Sequence, residues 1–314
     1  MTPSSRRVSI ISAVIAVAMM TTAQAQSASR RDQLIVTADW LSAHLRDPDL
    51  VLLQTGSEAD FNAGHIPGAQ RVKTWRNKPA DADGFNEMGA NGLTLEMLPD
   101  ADFQAILARH GITDRSRVIV YFTQPQGLTS TTRLMLALER AGFGDRISLL
   151  QGGLPAWKRD GRPLSAEPAM VKPAATPSLR LTPVIVDAAF VQASAGKADI
   201  ALVDTREPAV YDGVPGANRA APDQTPGHLP GALNLPHEVL YDSDGVLKPA
   251  DELRAAFAAA GVKPGVTVVA YCYTGQRATA VMLAAATLGH KTVLYDGSAE
   301  DWAARKLPFT KTTK

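Results

Sequence analysis

Cys272 is the only cysteine in this 314-residue chain, and the five residues after it are Tyr273, Thr274, Gly275, Gln276 and Arg277. This short segment separates an apolar, β-branched run, Val266 to Tyr271, from an alanine-rich run, Ala278 to Leu288, that Gly289 stops. The first run reads as a buried parallel strand and the second as a helix. A thiol between them sits at the carboxyl end of a strand and faces a helix amino terminus, where unpaired N–H groups and the helix dipole favour an anion. A thiolate held there is a nucleophile. Arg277 adds a fixed positive charge, and Gly275 lets the backbone curl so that the N–H groups from Tyr273 to Arg277 point inward as an anion nest. A lone cysteine is more often a small buried hydrophobe. Here the loop position, Gly275 and Arg277 together favour chemistry.

The other common chemistries find no support. The six histidines show no paired ligand spacing and Cys272 has no second cysteine nearby, so no metal is expected. No Gly-rich phosphate or dinucleotide fingerprint follows a strand, so neither a nucleotide nor any other cofactor is expected. A Cys-loop phosphatase or arsenate reductase needs a longer spacing between its cysteine and arginine than the four residues found here. A net charge of +1 gives no general electrostatic reason to expect nucleic acid or an anionic membrane as partner.

The elements that must position the loop come in duplicate. Val51 to Gly56 matches Ala201 to Arg206, and Arg117 to Tyr121 matches Thr267 to Tyr271 at the same offset. Between them Gly64-His65-Ile66-Pro67-Gly68-Ala69 matches Gly227-His228-Leu229-Pro230-Gly231-Ala232 at a larger offset, so the second copy carries an inserted segment there. That segment includes Arg219, expected to be solvated or to reach over the pocket. Later, Gly152 to Trp157 corresponds to Asp296 to Trp302, and both tryptophans are expected in the core. In the second copy Asp187 is expected to cap a short helix, Ala201 to Asp204 to be a strand, Pro249 to Ala260 a helix and Thr292 to Tyr295 a strand. Such alternation implies an α/β fold, with two modules that are each a mostly parallel sheet flanked by helices and that bind ligands outside the carboxyl ends of the strands.

Around these copies, 45% apolar and 20% charged residues describe ordinary globular material, enough for two cores. Residues 1–25 read as a secretory signal: Arg6 and Arg7, an apolar run from Val8 to Met20, and Ala23-Gln24-Ala25 before cleavage at Gln26. The apolar run is shorter than the roughly 20 residues that span a bilayer, so no membrane association is expected after cleavage. Only the arginine pair is shared with a twin-arginine signal, and ordinary export to the periplasm is the expectation. A single cysteine there has no intrachain disulfide partner. The expected organisation is a first module over 26–165, a Pro-rich connector over 166–182, within a stretch holding Pro163, Pro168, Pro173, Pro177 and Pro183, and a second module over 183–314.

From about residue 33 to 307 the chain resembles the tandem-domain rhodaneses, sulfurtransferases of the thiosulfate and 3-mercaptopyruvate type. The likeness rests on Asp204-Thr205-Arg206, Gly227 to Asn234, Cys272 to Arg277, and Asp296-Gly297 with Trp302, in this order. The resemblance implies a catalytic Cys272 that takes a sulfane sulfur from a donor such as thiosulfate and holds it as a persulfide for cyanide, another thiol or a protein acceptor. It implies anion or substrate binding by Tyr273, Thr274, Gly275, Gln276, Arg277 and Arg206, and structural support from Asp204 and His228. The first copy places Phe122 at the position of Cys272, continues with a stretch, Thr123 to Thr132, that reads as a longer loop, and replaces Asp-x-Arg by Gln54-Thr55-Gly56. It is therefore expected to be catalytically silent. The second copy matches neither the basic loop of thiosulfate enzymes nor the glycine-rich loop of mercaptopyruvate enzymes, and Val210 precedes Tyr211 where relatives carry a substrate-binding arginine. A 3-mercaptopyruvate sulfurtransferase and a non-turnover persulfide carrier serving a protein partner remain as alternatives.

Overall fold

The structure is a computed structural model that describes residues 30–76, 84–167, 169–171, 174–217 and 227–312. The expected signal segment 1–25, Arg219, Pro168 and Pro173 lie outside the described residues. Two five-stranded parallel sheets form the frame. The first runs in the order β1 (Ile35–Val36), β7 (Ile147–Leu150), β6 (Arg117–Phe122), β2 (Leu50–Thr55), β3 (Gln70–Val72). The second runs in the order β8 (Ile185–Val186), β12 (Thr292–Tyr295), β11 (Thr267–Tyr271), β9 (Ile200–Asp204), β10 (Leu233–Asn234). The two orders are the same, element for element. The first module adds a small antiparallel pair, β4 (Asn86–Glu87) with β5 (Glu96–Met97).

Central strands β6 and β11 are buried on both faces, which is why they read as near-continuous Val, Ile and Ala runs rather than as alternating patterns. The helices after them, Leu128–Leu138 and Ala278–Thr287, are buried almost all round. A helix buried on all faces needs cover on every side, and each supplies cover for the other, with one sheet on either flank. One continuous core therefore spans both modules, from Leu134 and Leu138 to Val268 and Val281. Within it the hydroxyls of Thr132 and Thr279 pair at 2.7 Å. Two smaller clusters lie on the outer faces of the sheets, around Trp157 and Trp302. Each indole donates to a carbonyl six residues on, Pro163 or Pro308.

Asp187 caps Ala188–Ser194 by accepting from the Phe190 amide, and the other expected elements of the second module form within a residue or two of their expected ends. The first module corrects one expectation. Its post-strand loop is no longer than its counterpart, because the helix already begins at Leu128, six residues after Phe122, just as Ala278 lies six after Cys272. Gln-Pro-Gln-Gly with several threonines after it has weak helix propensity, but burial between two sheets overrides it. Thr131 and Thr132 bond back to the carbonyls of Gly127 and Thr129 instead of competing with the helix.

The connector is strapped along the first module. Ala174 donates to Ala108 O, Gln104 reaches Pro177 O, and Arg180 and Thr182 donate to Ala141 O and Arg140 O.

Phe122 fills the position that a cysteine takes in the other copy. It is fully buried, and a Cβ on Gly153, or on Gly245 of the second module, would fall 2.6 or 2.8 Å from its ring. Such an aromatic plug shared by two modules is costly to remove. Phe122→Ala is expected to lower unfolding stability by about 3–5 kcal/mol, measured by chemical denaturation of the purified protein.

Candidate active site

Cys272 is the first residue beyond β11 and is 2% exposed. Its amide donates to Ser298 Oγ at 3.3 Å, while its carbonyl and that of Tyr273 accept from the amides of Ala299 and Glu300. The segment after β12 thus backs the loop on one side. Ser298 adopts a positive φ of 52°, a conformation that its own hydroxyl supports by donating to Tyr295 O. Gly275, at φ 80°, turns the chain into the Ala278–Thr287 helix. Between the thiol and that helix, the amides of Thr274, Gly275, Gln276 and Arg277 donate to no protein acceptor among the described residues. Four neighbouring amides at this helix start are thus left without a protein acceptor, a pattern that suits a small anion.

The side chains of the loop go to different places. Gln276 donates to the hydroxyls of Thr129 and Ser130 in the first module, at 3.1 and 2.9 Å. Arg277 lies at the surface, paired with Glu207 at 2.6 Å. Tyr273 is half-buried against the outer cluster of the second sheet. Thr274 is half-buried.

Arg206 is enclosed. It is 3% exposed, bidentate on Asp204 through Nε and Nη2, and its Nη2 also donates to Gly227 O. Burial works against its charge, but the Asp204 carboxylate outweighs burial and holds the guanidinium above the usual arginine range. Tyr271 and Cys272 act in the same direction, which puts Arg206 within electrostatic reach of the sulfur. Its position is that of a brace beneath the loop: Tyr271, under its guanidinium, accepts from the Leu229 amide. Burial pushes the Tyr271 phenol well up. In the first module Gln54 accepts from Tyr121, whose oxygen likewise takes the Ile66 amide, and Gly56 replaces the arginine. Both charges are absent from that copy together.

His228 stacks on Tyr211 at 3.8 Å and bonds to its carbonyl, and its backbone pairs with Thr310. His65 repeats this with Phe61 and Ser165. Val210 is buried, so it offers no group to a substrate. Among the described residues no cluster of His, Cys, Asp and Glu is placed to hold a metal, and no helix is long and apolar enough to cross a membrane.

A rhodanese-like domain model matches residues 37–160 and again 187–305. The chain belongs to the rhodanese family. It is a tandem rhodanese of the sulfurtransferase type, with relatives that carry different names. It is 28% identical over 274 residues to a Mycolicibacterium smegmatis protein named "Putative thiosulfate sulfurtransferase", covering 85% of this chain and 94% of that one. It is 28% identical over 288 residues to the sulfur carrier protein TtuD of Thermus thermophilus, covering 86% and 93%. The crystal structure of SseA from Escherichia coli, described as a 3-mercaptopyruvate sulfotransferase, superposes with a TM-score of 0.66 at 27% identity, covering 84% of this rhodanese and 98% of SseA.

Several residues near the loop carry no signal in the sequence: Ser298, Glu207, Thr129, Ser130, Arg133 and Glu96. All but Glu96 reach the loop from another element or from the other module, and only the sharing of Asp296-Gly297 with the repeat pointed to that neighbourhood. Glu96 belongs to a cleft of about 500 Å³ between the modules, lined also by Phe190, Tyr295 and Asp296. Burial first, then Asp296, pushes its carboxyl up to about 7, with Arg133 opposing and Asp301 and Glu300 adding to the rise.

These environments have two measurable consequences. Asp204→Asn leaves Arg206 buried without its counter-charge and is expected to cost about 3–5 kcal/mol in denaturant unfolding. For Glu96 the folded value lies above the unfolded one, so the folded protein loses stability as pH rises from about 4.5 to about 7, and the loss is complete above that. Glu96→Gln should leave the thermal midpoint unchanged near pH 4 and raise it at pH 8, by an amount worth about 1–2 kcal/mol after allowance for solvent screening.

Proposed function

We propose that this rhodanese is a thiosulfate sulfurtransferase working through a persulfide on Cys272. The thiolate Sγ attacks the outer sulfur of thiosulfate, the sulfur–sulfur bond of the donor breaks, and sulfite leaves with the bonding electron pair. A nucleophilic acceptor, cyanide or a thiolate, then attacks the terminal persulfide sulfur and restores the Cys272 thiolate. No metal, cofactor or external oxidant enters the balance. Donor, leaving group and persulfide are all anionic, so the stabilising work falls on fixed N–H dipoles rather than on an acid or base. The observation that carries this reading is the run of unpaired amides from Thr274 to Arg277 between the only thiol and the start of the Ala278–Thr287 helix.

Thiosulfate is favoured over 3-mercaptopyruvate because, among the described residues, the site offers a run of unpaired amides and no free second cation for a carboxylate: Val210 is buried and Arg277 is already paired with Glu207. Arg277 tunes the mouth of the site, whereas Arg206 and Asp204 brace it from below and His228 holds the turn before β10. The first module, with Phe122 in place of a thiol, does no sulfur chemistry. We further propose that the protein is exported to the periplasm and cleaved before Gln26, where a single thiol with no disulfide partner is kept for reaction.

The test is the intact mass of the mature protein before thiosulfate, after it, and after cyanide, alongside Cys272→Ser. One sulfur gained, lost to cyanide as thiocyanate, and absent from the serine variant is the expected result. Loading by mercaptopyruvate alone would reassign the donor. Failure of every small donor would overturn the enzyme reading in favour of a carrier filled by a protein.

A further inference from the structure

The first module lacks the thiol, yet its most buried charge lies against the sulfur loop. Arg133, on the Leu128–Leu138 helix, is 0% exposed. Its Nε donates to Asn86 Oδ1 at 3.0 Å, its Nη2 to Leu95 O, and its Nη1 crosses to Asp296 Oδ1 in the second module. Asp296 opens the segment whose Ser298, Ala299 and Glu300 hold the backbone of Cys272 and Tyr273. The loop's glycine closes directly on this pair. A Cβ on Gly275 would stand 2.8 Å from Asp296 O and 3.2 Å from both Arg133 Nη1 and Asp296 Oδ1. Guanidinium, carboxylate and loop are therefore in contact with no space between them. A planar guanidinium with three acceptors in fixed directions locates its carboxylate far more tightly than an ammonium could.

Glu96 completes the arrangement. It is next in the chain to Leu95, whose carbonyl Arg133 holds, and its Oε1 is buried without a hydrogen-bond partner among the described residues. The charged groups that face it are Asp296, Glu300 and Asp301 from the segment after β12 and Arg133 from the helix; Asp187 and Arg305 line the same cleft.

We propose that Arg133 is a positioning residue for Cys272, holding the sulfur loop through Asp296 and Gly275, and that Glu96, when ionised, competes with Asp296 for the guanidinium and loosens that hold. A neutral Glu96 leaves the charge of Arg133 to Asp296 alone. An ionised one attracts Arg133 and repels Asp296, so the contact against Gly275 slackens. The carboxyl's elevated value, about 7, sets where the change falls. This inference deepens the proposed function by giving the silent module a part in the reactivity of the thiol, and it rests on Cys272 being the reacting group.

The experiment measures the rate of alkylation of Cys272 by iodoacetamide, a small neutral reagent, on the full mature protein between about pH 5 and 9, a range that brackets the Glu96 transition. Wild type, Glu96→Gln, Arg133→Lys and the double variant are compared. Glu96→Gln is expected to match wild type near pH 5.5 and to react about threefold faster by pH 8, a modest coupling for charged groups that share one buried cleft. Arg133→Lys is expected to react about tenfold more slowly throughout and to abolish the pH-dependent gap, so that adding Glu96→Gln changes nothing further. Glu96→Gln alters no hydrogen bond seen in the fold, so it carries the test alone if Arg133→Lys does not fold. A ratio of Glu96→Gln to wild type that stays flat with pH, or a folded Arg133→Lys that alkylates like wild type, overturns the inference. Alkylation needs no sulfur donor. Failure of sulfur loading would therefore strike the sulfurtransferase reading alone, whereas a flat ratio or an unaffected Arg133→Lys would strike this inference alone.

Discussion

Two helices that leave almost no surface exposed, Leu128–Leu138 and Ala278–Thr287, must be covered on every side. A single five-stranded sheet covers one flank. The other flank is covered by the equivalent helix of the second copy, and the rest of the molecule depends on that mutual burial. It merges the interiors into one core, places the carboxyl ends of β6 and β11 near a common interface, and seats Gln276 against Thr129 and Ser130. The module without a thiol packs against the helix that follows the Cys272 loop.

The copies have diverged in a coordinated way. The second keeps a buried Asp204–Arg206 pair, with the guanidinium over the Tyr271 ring, a costly arrangement unless every charge is met. The first keeps the tyrosine and the amide it accepts, but with neutral Gln54 and with Gly56 in place of the arginine. Losing one charge alone would have left its partner buried and unpaired. Phe122 likewise does more than stand in for a thiol, since its ring is pressed against Gly153 and against Gly245 of the other module. The position that holds the thiol in one copy became part of the interface in the other.

Much of this was legible in the residues. Repeated apolar runs placed β2, β6, β9 and β11, because a strand buried on both faces must be written in Val, Ile, Leu and Ala. Asp187 marked a helix start, and the paired GHxPGA turns and tryptophans marked equivalent corners. The Thr123 to Thr132 stretch misled, because local propensity there is weak and the packing that makes it helical comes from residues far along the chain. Arg133 gave no warning of its role either: one arginine in a helical run reads as a solvated side chain, and only the arrival of Asp296 from the other module makes it a fully buried ion pair.

By itself, then, the sequence determined the two α/β modules, the order of their strands' apolar runs and the one place where a thiol meets a helix start, because these depend on residue types close together in the chain. Which groups surround that thiol was decided by the tertiary structure. Ser298 behind the Cys272 amide, Glu207 on Arg277, the hydroxyls on Gln276, and Arg133 with Asp296 against Gly275 are contacts between segments that only the shared core brings together. Hydrogen bonds and charges act over a few ångströms, and a chain does not state across its length which of its residues will come that close.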